Sequence, residues 1–226
     1  MTELAPDIHA IECSGVNAYL VDDDVPTLVD AGTPFDEDDI RDGIAKAGVA
    51  LEDIKRVLLT HYDVDHVGTL AALAPELNAT VRAGAFDADL LTGRRKPPLK
   101  NHKGLIQRVA GLLVTTPALE VRSIEDGEAV GSFEAYHTPG HTPGHVVYVS
   151  ADLDTAMLGD LVTESDGGFE PSSWVMSYDA GDVEASVVDL AARAPEFEVA
   201  GVGHGEPLAV GGSDALRALA DRLADN

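Results

Sequence analysis

The chain has 226 residues, enough for one substantial core and short for two independent domains. Forty acidic against 15 basic residues give a net charge of −25 and a pI near 4.3, a surface that repels phosphate backbones and anionic membranes and argues against a nucleic-acid partner. No apolar run approaches the roughly 20 residues of a membrane span, the start MTELAPDIHAIE lacks a basic-then-apolar leader, and the single Cys13 permits no internal disulfide, so a cytoplasmic location without a membrane partner is expected.

Short β-type runs open the chain at Ile8–Cys13, Val16–Val21 and Thr27–Val29, separated by acidic or Gly/Pro turns. Asp36 to about Gly48 reads as a helix with Asp36 as N-cap. Ile54–Leu59 reads as a buried strand that runs into Thr60-His61-Tyr62-Asp63-Val64-Asp65-His66; helical character returns over Val67–Ala74, and Ala79–Ala83 is a further strand. The segment 86–113 is helical at both ends and broken by Gly93-Arg94-Arg95-Lys96-Pro97-Pro98. A second β-rich half follows, at Glu120–Ile124, Glu128–Val130, Phe133–His137, Val146–Val149 and Thr155–Leu158. It closes with a helix near Val183–Arg193, a strand at Glu198–Val202 and a helix at Ser213–Ala224. The expected fold class is α/β, with paired sheets covered by helices, in a single domain over 1–226. Lysine is confined to positions 46, 55, 96, 100 and 103, and an acidic, lysine-poor composition of this kind points to a halophilic origin.

His61, Asp63, Asp65 and His66 lie within six residues directly after an apolar strand. At such a chain reversal His61 and Asp63 can face one metal while Asp65 and His66 face a second, since imidazole and carboxylate are donors that suit zinc, iron or manganese. A strand-to-helix turn capped by Asp65 is the plain alternative, and these four residues alone do not choose. His141 then stands in Thr138-Pro139-Gly140-His141-Thr142-Pro143-Gly144-His145, Asp160 follows Ala156-Met157-Leu158-Gly159, and His204 lies between Gly203 and Gly205. Each sits at the exit of an apolar strand, a rigid position for a ligand.

This ordered set resembles the metallo-β-lactamase superfamily, with its H-x-H-x-D-H signature, distant histidine, bridging aspartate and last histidine. The Thr-Pro-Gly-His repeat, Leu158-Gly159-Asp160 and Gly203-His204-Gly205 are similar to that family's glyoxalase II-like members. The resemblance implies a four-layer αββα sandwich and two divalent ions, zinc first and iron or manganese next. One ion would be held by His61, Asp63 and His141, the other by Asp65, His66 and His204, with Asp160 bridging. It also implies hydrolysis of a thioester, lactone or similar ester of a small molecule by a metal-bridging hydroxide that Asp65 orients. A diiron redox protein related to the flavodiiron metallo-β-lactamase domain, and a phosphodiesterase or nuclease of the same fold, are the alternatives. The chain departs from the family at Asp63, where histidine is usual; a carboxylate makes the site less positive and more hospitable to harder ions.

Arg94-Arg95-Lys96-Pro97-Pro98-Leu99-Lys100-Asn101-His102-Lys103 is the one basic cluster of the chain. Within a lid over 86–113, Arg94, Arg95 and Lys96 would hold an anionic group of the substrate; an exposed loop whose bases pair with neighbouring acids is the alternative. Trp174 reads as a pocket wall or as core, and His145 as a structural partner rather than a ligand.

Overall fold

The apolar runs of the first half pair into one seven-stranded sheet, in spatial order β1 (Thr2–Ala5), β2 (Ile8–Glu12), β3 (Asn17–Val21), β4 (Thr27–Val29), β5 (Arg56–Leu58), β6 (Thr80–Gly84) and β7 (Glu120–Ile124). The structure, a computed structural model, describes residues 1–225. Strands β1 to β4 form an antiparallel meander, and β4 to β7 run parallel. The parallel part needs crossovers. These carry α1 (Glu37–Lys46), the short α2 (Val64–Val67) and α3 (Leu70–Leu73), and then α4 (Ala85–Leu91) and α5 (His102–Ala110).

The second sheet has the order β14-β11-β10-β9-β8, built from β8 (Ala129–Val130), β9 (Phe133–His137), β10 (Val146–Ser150), β11 (Thr155–Gly159) and β14 (Val199–Val202). A separate hairpin of β12 (Val162–Ser165) and β13 (Gly168–Pro171) follows β11, and helices α6 (Ala180–Arg193) and α7 (Gly212–Ala224) flank β14 in sequence.

Alternation along the strands sorts their side chains into three cores. Along β3, Ala18 and Leu20 join the α1 residues Ile40 and Ile44, while Tyr19 and Val21 face the other way. Along β10, Val147 and Val149 pack with Val183, Val187 and Leu190 of α6 and with Leu216 and Leu219 of α7. Val146 and Tyr148 of β10 instead meet Ile8, Tyr19, Val29 and Leu58 of the first sheet. Helix, sheet, sheet and helix therefore stack with a core in each gap, the four-layer αββα sandwich. Strands buried on both faces read as unbroken apolar runs, which is why Val57-Leu58-Leu59 and Val146–Val149 stand out in the sequence. Two tyrosines cross the central gap with satisfied hydroxyls: Tyr19 Oη donates to Val202 O (2.6 Å) and Tyr148 Oη to Leu59 O (3.0 Å).

Several local expectations are corrected. Asp36 is the N-cap residue of α1, as expected, but its side chain makes no capping bond; its carboxylate accepts from Ser14 N (3.0 Å) and Thr33 N (2.7 Å), tying the β2–β3 turn to the approach of the helix. The helix expected over Val67–Ala74 is two pieces, because Gly68 N and Thr69 N donate to Gly32 O and Ala31 O instead of continuing an internal ladder. β1 and the β12–β13 hairpin were not expected. The hairpin buries Val162 and Phe169 among polar neighbours, so its alternation is too short to register. The break after α4 falls where Gly93–Pro98 placed it.

Candidate metal centre

Five strand ends deliver the site. The loop leaving β5 carries His61, Asp63, Asp65 and His66, the β9–β10 connection carries His141, and Asp160 and His204 follow β11 and β14 directly. Asp30, one residue past β4, supports them from beneath. Four of these strands have ladders on both sides, and β14, at the sheet edge, has β11 and the bridge of Ala200 to Leu208; such ends are rigid mounts, and ligand geometry tolerates little play.

All four imidazoles have the same posture: Nδ1 tied outward and Nε2 turned to the centre. His66 Nδ1 donates to Asp30 Oδ2 (2.9 Å), and His204 Nδ1 donates to Gly15 O (2.7 Å). Thr60 Oγ1 gives its proton to Asp30 Oδ2 (2.7 Å) and so accepts from His61 Nδ1 at 3.0 Å. His141 Nδ1 pairs with Ser172 Oγ at 2.8 Å. Each outward bond leaves Nε2 as the ring atom that faces the centre.

Three carboxylates meet those Nε2 atoms. Asp63 Oδ2 lies 3.4 Å from His61 Nε2 and 3.2 Å from His141 Nε2. Asp160 lies 3.3 Å from His66 Nε2, 3.3 Å from His204 Nε2 and 3.5 Å from His141 Nε2, and Asp65 Oδ2 lies 3.5 Å from His204 Nε2. Donors spaced about 3.4 Å apart are the edges of a tetrahedron with arms of about 2.1 Å, the bond length of a divalent ion to N or O. His61 Nε2, His66 Nε2 and Asp160 Oδ1 are buried without a hydrogen-bond partner. Native interiors rarely leave polar atoms so, and a cation at the centre would satisfy all three. The residues fit a metal. Donor atoms converge in the trios His61-Asp63-His141, Asp65-His66-His204 and His61-His66-Asp160. Gly203 is required here, since a Cβ on it would stand 1.9 Å from Asp160 Oδ1.

The electrostatics show how tightly the ring is coupled. Burial alone would raise the Asp63 carboxyl, but the His141 and His61 imidazoles beside it and the Lys103 charge hold it well below the usual range. Burial likewise opposes ionisation of Asp160, and His66 and His204 overcome it. His204 is pushed up to about 10 by hydrogen bonds to Asp160 and Asp65, while burial, with His61 beside it, takes His141 down to about 4.

The model of the metallo-beta-lactamase superfamily matches residues 11–205, a span that holds every one of these side chains. The chain belongs to the metallo-beta-lactamase superfamily. The protein YobT of Bacillus subtilis is 32% identical over 206 residues, covering 84% of this chain and 83% of YobT. The probable metallo-hydrolase YybB of the same organism is 26% identical over 73% of this chain and 69% of its own length. A hydroxyacylglutathione hydrolase of Cereibacter sphaeroides is 33% identical over 107 residues, covering 47% of this chain and 33% of that enzyme. Among solved structures, the metallo-beta-lactamase family protein TTHA1429 of Thermus thermophilus superposes with a TM-score of 0.75 at 22% identity, over 99% of this chain and 80% of that one. TTHA1623, in a di-iron-bound form, superposes at 0.67 with 28% identity, over 92% of this chain and 93% of that one.

For a superfamily member, the surroundings of the ring are the informative part. A cleft of about 490 Å³ opens beside Asp160 and His204, walled by Thr163, Glu164 and Glu170 of the hairpin and by Ser172, Ser173 and Met176. Trp174 stands on the same segment, 68% exposed, its carbonyl accepting from His102 Nε2 (2.8 Å). Arg94 and Arg95 lie at the surface, their Nε atoms 3.0 and 3.9 Å from the Asp89 carboxylate. Arg95 and Lys96 border a separate cavity of about 340 Å³ with Arg108, and no residue of the trio Arg94, Arg95 and Lys96 lines the cleft at Asp160. His145 is buried, its Nδ1 paired with Thr138 Oγ1 at 2.8 Å, and does not join the trios.

Sequence reasoning missed four residues that hold the ring or its loops in place. Asp30 shares the strand-exit position that marked Asp160, and that was its one available signal. Asp87 accepts from Tyr62 N (2.9 Å) and Thr142 Oγ1 (2.6 Å), clamping the two ligand loops together. Gln107 Nε2 donates to Asp63 Oδ1 at 2.8 Å. Lys103, counted with the basic loop, is 1% exposed and places Nζ on Asp63 Oδ2.

Proposed function

We propose that this chain is a metal-dependent hydrolase of a small-molecule thioester, lactone or similar ester, whose carbonyl enters the cleft beside Asp160 and His204. The observation that carries the reading is the shared posture of four imidazoles, every Nδ1 fastened outward and every Nε2 turned onto three carboxylates. A divalent ion bound there supplies Lewis acidity toward a carbonyl oxygen and lowers the pKa of water to near neutrality. The chain's own groups do the rest. Asp65, at the border of solvent, is placed to orient the attacking water and to take its proton; Asp160 and His204 fix the floor of the cleft. Glu164 and Glu170 on the cleft wall disfavour an anionic group at that end, and exposed Trp174, Val175 and Met176 offer apolar contact to an acyl chain. An anionic substrate tail would be held at the other cavity, by Arg95 and Lys96. The partial likeness to a hydroxyacylglutathione hydrolase supports thioesters among the ester class.

The test is metal content of protein purified without added metal, followed by a thioester and lactone panel with zinc, iron or manganese restored. The expected result is bound metal and turnover of one ester class, with both lost in Asp160→Ala. Protein that folds but takes up no transition metal overturns the reading. The di-iron form of TTHA1623 favours a second reading, a diiron redox protein. Iron as isolated, with reversible absorbance changes on redox titration and no esterase turnover, would establish that one instead.

A further inference from the structure

One contact in the ring is not explained by metal ligation. The Lys103 ammonium is buried on Asp63 Oδ2 and stands 3.3 Å from His141 Nε2. An ammonium is buried this completely only against a counter-charge. Asp63 supplies that charge, and an imidazole at position 63 would not. The other oxygen of Asp63 is taken by Gln107 Nε2 at 2.8 Å, and Gln107 Nε2 also reaches Tyr62 O at 2.6 Å. Both oxygens of the carboxylate that departs from the family pattern are thus committed to α5.

Helix α5 is fixed in this position. Asn101 caps it by accepting from Gly104 N (3.1 Å) and anchors it by donating Nδ2 to Tyr178 O (3.0 Å). His102 Nε2 bonds Trp174 O on the far side. Lys103 is therefore held in the site by its helix, not by a wandering side chain.

We propose that Lys103 takes the place of a second metal ion. Its ammonium neutralises Asp63 and fills the Asp63–His141 side of the His61-Asp63-His141 trio, and the chain binds one divalent ion, on Asp65, His66 and His204 with Asp160 and within reach of the unpartnered His61 Nε2. The Lys103 ammonium meets the charge of Asp63 directly, which leaves Asp65 and Asp160 as the ligand carboxylates for one divalent ion. A second divalent ion against Asp63 Oδ2 and His141 Nε2 would stand beside a buried like charge in a region that screens it poorly. Under this proposal the chain holds one ion where the sequence led us to expect two. The coupled pair Asp63–Lys103 also accounts for the aspartate where the family usually has histidine.

This proposal rests on the reading of the ring as a metal centre, and the experiment separates the two. Chelator-stripped full-length chain is loaded with excess Zn²⁺ and weighed by native mass spectrometry; in parallel Co²⁺-loaded protein is examined by electron paramagnetic resonance. The wild type is expected to hold one Zn²⁺ per chain, with an uncoupled Co²⁺ signal, and Lys103→Met to hold two, with the coupled signal of adjacent ions. Two ions in the wild type, or one in a folded Lys103→Met, overturns the proposal while leaving the hydrolase reading intact. If Lys103→Met does not fold, the wild-type count and spectrum decide by themselves. No bound ion at all overturns both.

Discussion

At Asp30 a special backbone position and a buried carboxylate coincide. Its φ of 56° lies in the left-handed region, which aspartate and asparagine enter more readily than other side chains with a Cβ. That turn of the chain directs the carboxylate to Thr60 N (2.9 Å), Thr60 Oγ1 (2.7 Å) and His66 Nδ1 (2.9 Å), so one residue sets the tautomers of both His66 and, through Thr60, His61. Asp30→Asn keeps the backbone but replaces one acceptor with a donor and removes the charge behind His66. Metal affinity is expected to fall by about 10–100-fold, with the far-ultraviolet spectrum unchanged; competition against a chelator of known affinity measures it, and unchanged affinity would show that Asp30 does not orient the ligands. The seven ring residues stood out in the sequence through donor types at strand exits taken together with the resemblance to the metallo-β-lactamase signature. Lys103 and Gln107 did not, because nothing local marks them. They lie on one face of a helix whose role depends on where α5 docks, 40 or more positions from Asp63.

Among the elements, the clearest test concerns how α1 is joined to the sheet. The sequence offered Asp36 as a helix cap, a local reading of a local pattern. The structure spends the carboxylate on Ser14 and Thr33, a contact between segments 22 positions apart that no windowed pattern reveals. The strands were legible where both faces are buried and faint where a hairpin such as β12–β13 has one polar side. The Asp36 bonds have a pH signature. Burial would raise this carboxyl, but the hydrogen bonds from Ser14 and Thr33 hold it below its ordinary value of 3.8. A carboxylate whose pKa is lower folded than unfolded contributes stability that is fully present above the unfolded pKa and is lost as pH falls through the folded one. Asp36→Asn is therefore expected to be less stable than the wild type at neutral pH, by about 1–3 kcal/mol as bonds to a buried charged acceptor weaken. The gap should narrow below pH 3.8. Urea unfolding of both proteins across that range checks it; a gap independent of pH would mean that the charge of Asp36 is not what matters.

For the whole molecule, the net charge of −25 is the dominant physical fact outside the metal centre. Ion pairs such as Arg193–Asp126 (3.0 Å) and Arg222–Glu170 (3.0 Å) are exposed, and each contributes at most about 1 kcal/mol. Fifteen bases cannot neutralise forty acids, so most carboxylates face like charge. Salt acts on both terms in opposite directions, weakening the pairs and relieving the repulsion. The excess of acids decides the sign, because repulsion sums over many unpaired groups. The screening length shrinks from about 10 Å at 0.1 M to about 3 Å at 1 M, below the spacing of most surface charges. Thermal stability is thus expected to rise with KCl, with Tm gaining about 2–4 °C for each kcal/mol of repulsion removed in a chain of this size. The rise should be steepest at low salt and shallower at about pH 5, where fewer carboxylates are ionised. Thermal unfolding of metal-loaded protein in a KCl series at two pH values measures both slopes. Equal slopes at the two pH values would assign the salt effect to general exclusion from the surface instead of to charge; a falling Tm would mean that the few ion pairs outweigh the repulsion and that the acidic surface is no adaptation to salt.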